Sequence, residues 1–211
     1  MANTSRINGF KPVKHLTGAP YNGQSTLYEV SSSDSNPVFV GDLVKLSTNA
    51  STSGVPCVQS VVAASSQITA GPILGAVVGV LNAKMDPLDG LMTGGSIALD
   101  TPQYRVASTK QFVLVADDPG LIYEAEADAA VTLANIGFNV GVGASAHTNP
   151  LITGASPMYV YSTTTPDATS TRPLQIVGQV KRADNETNAA FNKVLVRINV
   201  HTYGSVGVAG V

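Results

Sequence analysis

The chain has 211 residues, 44% of them hydrophobic and only 12% charged, with a formal net charge of −2 and a pI near 5.8. That length supports one good core, or two small ones, without staples, and that hydrophobic share excludes a disordered chain. The near-neutral balance excludes an electrostatic footprint for nucleic acid, and the shortage of charge leaves small neutral residues to form much of the surface.

The first residues, Met1-Ala2-Asn3-Thr4-Ser5-Arg6, lack a basic segment followed by an apolar one, so no signal peptide is expected. Three N-x-Ser/Thr sequons, at Asn3, Asn49 and Asn185, are then chance occurrences in a Ser/Thr-rich chain. Residues 1–24 are expected to form an extended N-terminal arm. There Asn8-Gly9-Phe10-Lys11-Pro12-Val13-Lys14-His15-Leu16-Thr17-Gly18-Ala19-Pro20-Tyr21-Asn22-Gly23 sets apolar anchors among residues that cannot build a helix. Such a segment has no core of its own, so its apolar side chains are expected to bury against another body. Phe10, Val13, Leu16 and Tyr21 are the expected partner-binding anchors, and Lys11 and Lys14 the expected polar contacts. The basic group Arg6, Lys11 and Lys14 suits a solubilising terminus and an acidic partner equally well.

Period-two patterning dominates from residue 38 onward, and residues 25–203 are expected to form one β domain. Residues 39–46 carry a strand signal interrupted by the bend Gly41-Asp42. Residues 73–81 make a buried strand rich in branched residues, whose two glycines predict a bulge or close packing. Shorter strands are expected at 104–107 and 111–116. The turn Asp117-Asp118-Pro119-Gly120 then leads into a strand at 121–127, and the two flanking strands are expected to pair as a hairpin. Leu121, Tyr123 and Ala125 should face inward, with Ile122, Glu124 and Glu126 on a mostly polar face. A short helix is the reading for 128–136, followed by a strand over 138–142 and a surface loop over 162–172. Residues 173–181 and 192–201 alternate cleanly, the latter with Val194, Val196, Ile198 and Val200 on one face, and a polar connection joins them as a hairpin. Residues 204–211 are Gly-rich and apolar, an extended C-terminal tail that also looks made to lie on something. Strands with turns every 8–15 residues and no βαβ rhythm predict an all-β fold, an antiparallel β-sandwich or β-barrel of jelly-roll-like kind.

Catalytic and metal-binding patterns are sought without success. Cys57 is a lone thiol in an apolar stretch, expected to be buried, and no intrachain disulfide can form. His15, His147 and His201 are far apart; His201 is expected to be a solvated imidazole on the polar face of the last strand. The run Gly143-Ala144-Ser145-Ala146-His147 lacks the second glycine and following helix of a nucleophile elbow. Gly141-Val142-Gly143-Ala144-Ser145-Ala146 matches a dinucleotide fingerprint, but Asn149-Pro150 forbids the helix that it needs. Asp117, Asp118, Glu124, Glu126 and Asp128 could converge on a cation, yet solvated turn and strand positions explain them without one. Asp86 and Asp89 around Pro87 are turn formers. A paired-carboxylate glycosidase lacks support, since Trp is absent and aromatics are 6%. No catalytic residue, metal or cofactor is expected. The longest apolar run, 73–81, falls far short of the ~20 residues that span a bilayer.

The arm 9–23, the segment Gly71-Pro72-Ile73-Leu74-Gly75, and Val113-Leu114-Val115-Ala116-Asp117-Asp118-Pro119 followed by Tyr123-Glu124 resemble structural proteins of tailed bacteriophages, in particular capsid decoration, or cement, proteins. The resemblance covers the order of short motifs over most of the chain. It implies a non-enzymatic virion protein, made in the host cytoplasm, that binds the outside of the head and bridges major capsid protein subunits. It also implies a homo-oligomer, a trimer in preference to a dimer, with no nucleic-acid or membrane partner. Two alternatives stand beside it. A tail or fibre component would show repeats that are absent here, and a glycan- or cell-surface-binding β module would need an aromatic platform that the sequence does not reveal.

Overall fold

In the computed structural model, residues 3–49, 51, 53–61, 67–81, 103–145, 153–163, 166–204, 207 and 210 are described. Twelve strands are found among them: β1 (Lys11–His15), β2 (Thr26–Val30), β3 (Leu43–Leu46), β4 (Val58–Ser60), β5 (Gln67–Ile68), β6 (Gly75–Val80), β7 (Gln111–Ala116), β8 (Leu121–Glu126), β9 (Asn139–Ala144), β10 (Met158–Tyr161), β11 (Leu174–Gln179) and β12 (Lys193–Ile198). They form two antiparallel sheets. One has seven strands in the order β1-β8-β12-β11-β9-β10, with β5 also paired to β9; the other runs β2-β7-β6-β3-β4. The fold is a β-sandwich and not a closed barrel.

Alternation in the strongest strands builds the core. Val194, Val196 and Ile198 of β12 are buried, while Lys193, Leu195 and Arg197 between them are half-buried. They join Leu174 and Ile176 of β11, Val140 and Val142 of β9, and Tyr123 and Ala125 of β8 against Leu43, Ala76 and Ala116 from the other sheet. The Tyr123 hydroxyl crosses between the layers and donates to Ala116 O at 2.9 Å. The next residues, Val44 and Val77, point to the opposite side. With Tyr28, Val30, Val38, Val58, Leu74, Val113 and Val115 they form a second cluster, so the five-stranded sheet is buried on both faces. That sheet curls until its edges meet at one bridge, Glu29 beside Cys57, with Glu29 N–H donating to Pro56 O at 3.1 Å. The glycines of β6 have the two roles expected of them: a Cβ on Gly75 would sit 2.1 Å from Ala116 O, and a register shift falls between Val77 and Gly79.

Several expectations are corrected. β7 and β8 do not pair as a hairpin. The turn 117–120 forms, with Leu121 N–H donating to Asp118 O at 3.1 Å, but it carries the chain from one sheet to the other. Residues 104–107 are no strand; Arg105 makes a single bridge to Val38. The helix over 128–136 shrinks to a 3-10 turn, Leu133–Asn135. Asp128, at its expected start, instead takes hydrogen bonds from Ser162 N–H (2.7 Å), Ser162 Oγ (2.8 Å) and Thr163 Oγ1 (2.6 Å), which draw the segment toward β10. The dinucleotide-like run lies in β9 through Ala144, in extended backbone. His201 is not solvated: it is 4% exposed, its Nδ1 accepting Tyr203 N–H at 3.0 Å. Glu126 is 5% exposed rather than on a solvated face. Cys57 is buried as expected. The turn at Asp86 and Asp89, and His147, lie outside the described residues.

Both termini touch the body where they are described. Within the expected N-terminal arm, Lys11–His15 are extended as β1, the outermost strand of the larger sheet, with Lys11 opposite Glu124 and His15 opposite Leu121. In the tail, Gly210 N–H donates to Ala168 O at 3.1 Å, so this residue rests on the chain's own loop.

Candidate interaction surface

Two contacts fix the N-terminal segment before β1 begins. Ser5 Oγ and Arg6 N–H donate to the two carboxylate oxygens of Glu126 at 2.8 and 2.7 Å, which explains the burial of that residue. Gly9 then crosses Gly41 in the left-handed region (φ 64°), so close that a Cβ would lie 2.5 Å from Gly41 O and from Ser156 Cβ. Phe10 N–H donates to Gly41 O at 2.9 Å, and the Phe10 ring drops into the main core at 1% exposure. Phe10 therefore anchors the segment to its own fold and is not available to a partner.

β1 does not offer a bare edge. Residues 16–21 double back: Ala19 O accepts from His15 N–H at 2.8 Å, and Val13 O from Tyr21 N–H at 3.1 Å. The far end is held by Leu16 N–H on Gly120 O at 2.7 Å and by His15 Nδ1, 3.2 Å from Asp118 Oδ2. At the opposite side of the sheet, β10 is bridged at Val160 to Ala127. Strand addition along β1 is blocked by its own return, and the bridge at Val160 occupies part of the β10 edge.

Apolar side chains are left over on this hairpin. Val13 is 41% and Leu16 57% exposed, and Val40, which lines the groove described next, is 38% exposed. Pro12, Tyr21, Val40 and Val78 line a groove of about 290 Å³ between β1 and the five-stranded sheet, with Phe10 and Val77 at its floor. Lys11 and Lys14 are exposed along the same strand. Tyr21 is half-buried, packs against the main core, and donates its hydroxyl to Gln24 O at 2.9 Å; burial raises its pKa. Of the six residues expected from sequence, Lys11 and Tyr21 line this groove with Phe10 at its floor, while Val13, Lys14 and Leu16 are exposed on the same hairpin without lining it. The groove itself was missed, because Val40 and Val78 meet the hairpin only through the fold.

Other perturbed ionisable groups lie elsewhere. Burial pushes the Asp42 carboxyl up to about 7, opposed by hydrogen bonds from the Ser156 side chain and Phe39 N–H. Burial, with the nearby Glu29 carboxylate, raises the Cys57 thiol. Burial lowers the His201 imidazole, against the attraction of Asp117. Asp117 itself accepts from Tyr28 Oη at 2.8 Å and Thr26 Oγ1 at 3.0 Å, an arrangement that fastens β2 to the sheet-crossing turn. None of Asp42, Cys57 and His201 lines the groove. Among the described residues no group of three or more His, Cys, Asp and Glu is placed to hold a metal ion, and no helix is long and apolar enough to cross a membrane. No family model, curated protein or solved structure matches this chain.

Proposed function

We propose that this chain is a non-enzymatic structural protein of a virion, a decoration protein that binds the outer surface of a phage head and ties neighbouring major capsid protein subunits together, acting as a homo-oligomer, a trimer in preference to a dimer. The observation that carries the reading is the apolar surface of the β1 hairpin. Val13 and Leu16 stay exposed on the hairpin and Val40 in the groove that the hairpin borders, while Lys11 and Lys14 are exposed along the same strand. Apolar contacts within a polar rim are the anatomy of a protein interface. The resemblance of the chain's short motifs to those of decoration proteins supplies the kind of partner.

Because β1 is paired within the chain's own sheet, folded surface contributes to the roughly 800 Å² per partner that a stable interface needs. The test is sedimentation of purified protein with capsids stripped of their own copies. Saturable binding at a fixed ratio to the major capsid protein is expected, with binding weakened at least about tenfold by the double substitution Val13→Asp, Leu16→Asp, which buries two charges in the contact. Failure of the folded parent protein to sediment with capsids refutes decoration. Unaltered binding by the double variant refutes the role given to the hairpin.

A further inference from the structure

The polar connection between β11 and β12 holds an unusual aromatic residue. Three non-glycine residues among those described adopt left-handed backbone: Ser108 (φ 56°), Asn188 (φ 65°) and Phe191 (φ 59°). Asn tolerates that region, and Asn188 is also used, its Oδ1 accepting from Leu133 N–H at 3.1 Å and Gln179 Nε2 at 3.2 Å. A bulky aromatic does not adopt it without strain. The Phe191 ring is also not repaid by burial, for it stays 38% exposed on the wall of a cleft of about 510 Å³.

That cleft is built in advance. Its far wall is the N-terminal segment, fastened across the gap by Asn3. The Asn3 amide donates to Glu186 O at 2.9 Å and Ala190 O at 3.2 Å, and its Oδ1 accepts Glu186 N–H at 2.8 Å. The charged lining is balanced, with Arg6 and Lys193 facing Asp184 and Glu186. Asp184 is paired on both oxygens, Oδ1 with Arg182 Nε at 3.2 Å and Oδ2 with Lys193 Nζ at 3.3 Å, yet its side chain remains 53% exposed and open to further hydrogen bonds. A ligand of one sign meets as much repulsion here as attraction. A neutral polyol does not: each hydroxyl both donates and accepts, so carboxylates and cations serve it alike, and its C–H face can lie on an aromatic ring. The volume suits a sugar of one or two rings.

We propose that this cleft is a binding site for a neutral carbohydrate, with Phe191 as the stacking face and Asp184, Arg6 and Lys193 as hydrogen-bonding groups. The aromatic platform that composition does not disclose is a single phenylalanine held outward by its backbone. The site is separate from the β1 hairpin surface, and its existence does not depend on capsid binding.

The test is an amide-resolved NMR titration of the full chain with lactose, maltose, cellobiose and di-N-acetylchitobiose, each to about 50 mM, well beyond a Kd of about 1 mM. Saturable shifts confined to residues 3–6 and 183–193 are expected with at least one of the four. Phe191→Gly removes the ring while relieving the left-handed strain, so the fold persists; it should weaken binding about tenfold or more, whereas Phe191→Tyr should bind like the parent. Absence of shifts with all four sugars overturns the proposal, as does undiminished binding by Phe191→Gly. Equal shifts with sodium acetate at the same residues also overturn it, by showing a site for charge.

Discussion

Replacing Asp42 with asparagine should remove a large pH dependence from the stability of this fold. Asp42 is 2% exposed; its Oδ2 accepts Phe39 N–H at 2.9 Å, and its Oδ1 has no hydrogen bond. No opposite charge compensates the burial, which lifts the carboxyl from its ordinary 3.8 to about 7. The folded chain therefore holds a proton that the unfolded chain releases. The stabilisation is fully present below about pH 3.8 and is lost progressively as pH rises to about 7. A gap of about 3 in pKa, at about 1.4 kcal/mol each, sets the loss at about 4 kcal/mol. Asparagine keeps an acceptor for Phe39 N–H and carries no charge at any pH. Urea unfolding of parent and Asp42→Asn across a pH series isolates this one carboxyl, because every other titrating group is common to both. The variant should gain on the parent steadily from about pH 4 to about pH 7 and hold that advantage above. A difference that does not change with pH would refute the reasoning, since it would mean that Asp42 ionises as freely in the folded chain as in the unfolded one.

Two further substitutions probe the frame. Gly9→Ala places a Cβ against Gly41 O and Ser156 Cβ at 2.5 Å, at a φ of 64°, and should cost about 3 kcal/mol in urea unfolding, with faster proteolysis ahead of Phe10; a neutral result would mean that the crossing relaxes without strain. Arg105 is fully buried and donates to the backbone carbonyls of Ser31, Asp34, Asn36 and Thr109, so Arg105→Met strips four acceptors of a charged donor and should cost about 3–5 kcal/mol by the same measurement.

What the sequence discloses here is what local pattern can encode. Alternation in β12 and, up to a register shift between Ile176 and Gly178, in β11, the branched run of β6, and the turn at 117–120 are written in neighbouring residues, and they form where expected. Whether strands on either side of a turn pair with each other is a different matter. Asp-Asp-Pro-Gly closes a hairpin or rounds a sandwich corner with the same φ preferences, and here it rounds the corner. Glu126 alternates as a solvated residue should, but a segment 120 positions away lies across it. Residues 9–23 look detached because Gly, Pro and Asn break local order. They are ordered by the edge of β8, which local pattern cannot announce. Val13 and Leu16 stand out in sequence as apolar residues among Gly, Pro and polar neighbours, and both are exposed in the fold; Phe10 resembles them in sequence and differs in where the chain turns. Phe191 has no sequence signal, since its interest lies in one backbone angle and one cleft.

The way the sheet margins are finished has a consequence for how copies of this chain can live together. With β1 sealed by its own return, β10 bridged at Val160, and β2 joined to the stretch before β4, these three margins offer another molecule little backbone to zip onto. Contacts between copies at these margins fall to side chains. Such contacts open and close without any strand being pulled from its place, so crowded molecules can trade neighbours, dissociate and return to the same fold. A lattice of this protein would be repairable by exchange, and concentrated stocks should stay clear of fibrillar dead ends.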